Sequence, residues 1–86
     1  MSDPRVIVYS TSWCSWCHRA KALLRGQGVA FQEIDGEKEW GNHFRDEIEA
    51  RTGARTVPQV VIDGRPIGGF EEHEALAAAG GLETLK

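Results

Sequence analysis

The pattern that most narrows the fold is a short β-branched run, then a helical stretch, then a second apolar run. Residues 5–9 hold Val6, Ile7, Val8 and Tyr9 between Pro4 and a Ser/Thr cluster, and read as a buried strand. Residues 15–27 set Ala20, Leu23 and Leu24 on one helical face, with Gly26 and Gly28 as stops. Residues 29–34 read as a second strand with Val29, Phe31 and Ile34 inward. A strand–helix–strand opening implies a parallel pair joined by a right-handed crossover.

The rest of the chain extends this frame. Residues 37–52 space Trp40, Phe44 and Ile48 four apart, which predicts a helix ending at Gly53. Residues 59–62 and 65–67 flank Asp63-Gly64, a signature of a two-residue type I′ hairpin. A last helix is expected over 71–79, with one more turn through Leu85 after Gly80-Gly81. The order β-α-β-α-β-β-α predicts an α/β fold: a four-stranded mixed sheet flanked by helices on both faces. The 86 residues leave room for a single domain, 1–86, with one modest core.

Charge and hydropathy exclude several classes of function. A net charge of −3, from 10 basic and 13 acidic residues, gives no nucleic-acid footprint. No apolar run approaches the ~20 residues that cross a bilayer. The stretch Met1-Ser2-Asp3-Pro4 lacks the basic and apolar segments of a secretory signal. The expectation is a cytoplasmic monomer without nucleic-acid or membrane partners.

Cytoplasmic thiols are kept reduced, so Cys14 and Cys17 call for an explanation. A structural disulfide between them would close a very short loop, where such bonds stabilise least. A zinc site wants four ligands, and beyond the cysteines the chain offers only His18, His43 and His73. A redox pair is the leading reading, and no resident metal is expected. Cys14 falls at the predicted start of the first helix, where free N–H groups and the dipole favour a thiolate. A readily ionised sulfur is also a good leaving group when a mixed disulfide is resolved. Cys17, one turn deeper, suits the resolving role.

A Cys-x-x-Cys after the first strand of such a pattern reads as a thioredoxin-like redox motif. Three signatures narrow it: Cys14-Ser15-Trp16-Cys17-His18, Thr56-Val57-Pro58-Gln59 and Gly68-Gly69-Phe70-Glu71-Glu72. Their order and separations resemble the glutaredoxin family over nearly the whole chain. The resemblance implies a thioredoxin-like fold and a glutathione-dependent thiol–disulfide oxidoreductase. Its substrates would be protein–glutathione mixed disulfides and protein disulfides, with Cys14 as nucleophile and Cys17 as resolving thiol. Glutathione would be co-substrate, with no tightly bound cofactor, and oxidised or glutathionylated proteins the partners.

The resemblance also implies a binding site. Pro58 is expected to be cis and to face Cys14, leaving the Val57 backbone to pair with the ligand. Trp16, where the family usually has tyrosine, would wall the groove beside Thr56. Gly69, Phe70, Glu71 and Glu72 would hold the γ-glutamyl end. The family commonly has a lysine where this chain has Thr11, and Arg55, with Arg45, is expected to supply that charge. Trp13 reads as packing and His18 as a solvated side chain. Two alternatives stay open. Ser15 stands where most dithiol members have proline, which allows an iron–sulfur cluster bridging two chains through Cys14 and glutathione. The other is a redoxin using a different low-molecular-weight thiol or a thioredoxin reductase.

Overall fold

The computed structural model describes residues 5–85; residues 1–4, read above as lacking a signal, lie outside them. Strand β1 (Val6–Ser10) leads into α1 (Ser15–Gly26), then β2 (Gln32–Asp35) and α2 (Gly36–Trp40). A single 3-10 turn, Gly41–His43, precedes α3 (Phe44–Thr52), then β3 (Gln59–Ile62), β4 (Arg65–Gly68) and α4 (Phe70–Ala78), with a last 3-10 turn at Glu83–Leu85. The sheet order is β2-β1-β3-β4. The β1–β2 pair is parallel, and β3 runs antiparallel to both β1 and β4. This is the mixed four-stranded sheet that the strand–helix–strand opening and the Asp63-Gly64 turn imply. Asp63 takes a positive φ of 51°, as the first position of a type I′ turn requires.

Alternation along β1 divides the core between the two faces of the sheet. Val6 and Val8 pack with Leu24, Val29, Val60 and Leu82, bringing α1 and the chain's C-terminal region onto one face. Tyr9 packs with Phe44, Ile48 and Val61, bringing α3 onto the other. Leu24 and Ile48 are fully buried, so truncation of either to alanine should cost about 2–5 kcal/mol.

Two sequence expectations need correction. The second strand begins at Gln32, not at residue 29. Val29 belongs to the turn that ends α1, where its N–H caps the Leu24 carbonyl at 3.0 Å. Val29 and Phe31 therefore face one core cluster while Ile34 faces the other. The long helix over 37–52 is broken at Gly41, which closes α2 with a positive φ of 57°. Trp40, Phe44 and Ile48 nonetheless reach the same cluster. Among the described residues no helix is long and apolar enough to cross a membrane.

Candidate active site

The end of β1 delivers the chain through Thr11, Ser12 and Trp13 to Cys14, which caps α1. Cys14 has extended backbone angles, and its Sγ accepts the N–H of Cys17 at 3.2 Å. A sulfur so placed occupies one of the free donors at a helix start, where negative charge is favoured. Both cysteines are free thiols; Cys14 is 6% exposed and Cys17 is fully buried. Burial pushes the Cys17 thiol up to about 12, helped by its hydrogen bond to Cys14. Cys17 is thereby held in its protonated form in the resting protein.

Across from α1, the Val57–Pro58 bond is cis, as the resemblance implied, and the Cys14 thiol donates to the Val57 carbonyl at 3.7 Å. From there a groove of about 370 Å³ runs between Thr56–Gln59 and the β4–α4 junction. Of the expected binding residues, Trp16, Thr56, Val57, Pro58, Gly69, Phe70, Glu71 and Glu72 all line it. Gly68 lines it beside Gly69, and so do Ala54 and Gln59, which the sequence reading did not place there. Gln59 Nε2 donates to the Thr56 hydroxyl at 3.1 Å and braces that wall.

The far end of the groove is the start of α4. Gly69 is its N-cap and no side chain caps the first turn, which carries Glu71 and Glu72. Gly68 has a φ of 122°, and a Cβ there would lie 3.0 Å from Glu72 Cγ. Glycine thus permits both the backbone angle and the folding of Glu72 back over the junction. On the opposite wall Trp16 leans on Phe70 with ring centroids 5.4 Å apart, and the Arg19 guanidinium covers its outer face. Trp16 is 49% exposed, so its ring is available to a ligand.

The two arginines expected to replace a missing lysine part company. Arg55 is not among the lining residues; its guanidinium is held by Asp46 at 2.7 Å and Glu49 at 3.0 Å. Arg45 instead donates to the Arg55 carbonyl at 3.0 Å, beside the groove residues Ala54 and Thr56. Thr11 is buried, and its hydroxyl has no partner among the described residues. Trp13 is 57% exposed, its indole N–H held by Glu37 at 2.6 Å and its ring edge-on to Phe44. His18 is exposed on α1 and His73 is buried in α4; no group of three or more His, Cys, Asp and Glu side chains gathers as a metal site among the described residues.

Comparison with known proteins matches these features. The Glutaredoxin family model covers residues 6–67, from β1 into β4. The chain is 48% identical over 82 residues to glutaredoxin 3 of Escherichia coli, covering 93% of this chain and 94% of that protein. It is 44% identical over 84 residues to a glutaredoxin of Pseudomonas aeruginosa, covering 95% of each. Among solved structures, a buckwheat glutaredoxin–glutathione complex superposes with a TM-score of 0.84 at 31% identity, over 95% of this chain and 76% of that one. The fold is the thioredoxin-like fold that the signatures implied, and the family match with its paired cysteines makes the protein a thiol–disulfide oxidoreductase. This chain belongs to the glutaredoxin family.

Proposed function

We propose that this protein reduces protein–glutathione mixed disulfides, and protein disulfides, with Cys14 as nucleophile and Cys17 as resolving thiol. One observation carries the reading: Cys14 caps α1 and bonds to Val57, which lines a groove whose other end joins an uncapped helix start to two glutamates. Those groups are complementary to a γ-glutamyl end. The first-turn N–H groups of α4 take its carboxylate, and Glu71 or Glu72 takes its ammonium. The Val57 backbone pairs with the cysteinyl residue in short β-addition.

The chemistry balances without a resident cofactor. The Cys14 thiolate attacks the glutathione sulfur of the mixed disulfide. The protein thiolate leaves with the electron pair of the broken bond and takes up a proton. A second glutathione then attacks the adduct, releasing oxidised glutathione and restoring the Cys14 thiolate. With a protein disulfide, Cys17 attacks Cys14 in the same way and closes an internal disulfide.

The test is turnover of matched mixed disulfides carrying glutathione, cysteine or cysteamine, measured side by side. Glutathione should be preferred by at least about tenfold, the worth of one good charge-assisted contact, and Cys14→Ser should be inactive on all three. Equal rates for the three would overturn the glutathione reading.

A further inference from the structure

Lys21 has no part in the mechanism above, yet it is only 8% exposed. Lysine is seldom buried so far unless it is paired. It stands one helical turn after Cys17 on α1, and both fall on the buried face of that helix. Its ammonium donates to Glu33 Oε2 at 2.6 Å, and the Ser10 hydroxyl donates to the same oxygen at 2.7 Å. Glu33 sits on the edge strand β2, opposite Val8 of β1. The hydrogen bonds from Lys21 and Ser10 hold its carboxyl below the usual range. A cation is thus fixed one turn from the resolving thiol, with a carboxylate fixed behind it.

We propose that Lys21 is a positioning residue for the two-cysteine route: its ammonium eases loss of the Cys17 proton, and Glu33 limits how strongly it does so. The proposal rests on the reading of Cys17 as the resolving thiol. In that step the Cys17 sulfur attacks Cys14, and a Cys14–Cys17 bond forms as the bond from Cys14 to the substrate sulfur breaks. The substrate sulfur leaves with the electron pair and takes up the proton that Cys17 lost. The cysteine pair is oxidised by two electrons and the substrate is reduced by two.

Burial is the largest obstacle to that proton loss, and the hydrogen bond to Cys14 adds to it. Only the Thr11 backbone and the Lys21 charge act the other way. Glu33 is the charged group behind Lys21 on β2. His73 is the buried titratable side chain of α4, which packs on α1, and burial holds it toward the neutral form. Lys21 is the charged side chain that favours the Cys17 thiolate, and Glu33 opposes it from β2, with His18, Asp35, Lys38 and Glu39 lining the same cavity.

The experiment follows closure of the internal disulfide after the reduced protein is mixed with excess oxidised glutathione, quenched in acid and weighed by mass spectrometry across pH. Lys21→Met should move the pH profile of closure upward. The thiolate it loses is partly returned as higher nucleophilicity, so closure at neutral pH slows by about threefold or less. Glu33→Gln should act in the opposite direction, speeding closure and lowering the midpoint, because it leaves the cation unopposed. Lys21→Arg should restore the parent profile. Slower closure in both Lys21→Met and Glu33→Gln would make the pair a packing device and overturn the proposal, as would unchanged midpoints in both. A parent protein that never closes an internal disulfide would instead overturn the resolving role of Cys17, which is a separate failure. Melting curves of each variant show that a changed rate comes from a folded chain.

Discussion

Two helix starts meet at the groove, and they treat the same physical problem in opposite ways. Both α1 and α4 leave first-turn N–H groups without intrahelical partners. In α1 the reactive sulfur itself is the cap, and no acidic side chain follows it in the first turn. In α4 the cap is a bare glycine, and two glutamates follow. One end spends its donor on holding a sulfur in place; the other keeps its donors for whatever enters the groove. The buried groups behind the two starts differ as well. The Lys21 ammonium behind Cys14 is paired with Glu33, whereas both ring nitrogens of His73 behind Gly69 lack a partner among the described residues. The α1 end is built for chemistry, and the α4 end for recognition.

Erasing that asymmetry should produce the largest effect. Gly69→Asp gives α4 the side-chain cap it lacks. Gly69 has ordinary extended angles, and a Cβ there meets Glu72 and Pro58 at 3.6 Å, so the chain accommodates it. The new carboxylate takes the donors meant for the ligand. KM for glutathione mixed disulfides should rise by about tenfold or more while the melting temperature changes little. An unchanged KM would mean that the helix start is not the carboxylate site. A smaller effect is expected from removing the acidic partner. Glu71→Gln with Glu72→Gln should raise KM several-fold at nearly constant kcat, since both side chains are exposed and screened. A fall in kcat at constant KM would place these residues in the chemical step instead.

The smallest effect concerns stability at the back of α4. Burial lowers the ionisation of His73 below the usual histidine value. At pH below about 6.5 the unfolded chain takes up a proton that the folded chain refuses, so stability falls as pH falls. The slope should reach up to about 1.4 kcal/mol per pH unit between pH ~6.5 and the lowered folded value. Denaturant melts at pH 7 and pH 5 measure it, and His73→Leu should flatten the difference. An equal difference in parent and variant would assign the acid sensitivity to other groups.

These contrasts mark how far the sequence could be read. Local signals held: Asp63-Gly64 gave the hairpin, and Cys14-Ser15-Trp16-Cys17 gave a cap, a wall and a buried thiol within one turn of helix. Thr56-Val57-Pro58 and Gly69-Phe70-Glu71-Glu72 are likewise contiguous, so each arrives at the groove as a unit. What escaped was set by the register between distant segments. Glu33 meets Lys21 and Ser10 because β2 lies along β1, and no spacing in the chain announces that. Arg55 turns to Asp46 and Glu49 because α3 passes beside it, and Arg45 is tied to the Arg55 carbonyl, so neither lines the groove. The second strand was read three residues too early because Val29 is as apolar as a strand residue, although its N–H closes the helix before it. A periodic stripe hid the break at Gly41, since a 3-10 turn kept Trp40 and Phe44 on one side.

The division of labour between Cys14 and Cys17 is tested most directly by one variant measured against two substrates. Cys17→Ser leaves the Cys14 sulfur, the groove and the α4 site intact and removes only the deeper thiol. The account predicts that this variant still reduces a glutathione mixed disulfide, with glutathione releasing the Cys14 adduct, while reduction of a protein disulfide collapses. Equal loss of both activities in Cys17→Ser would contradict it, because Cys14 would then be unable to turn over without its neighbour.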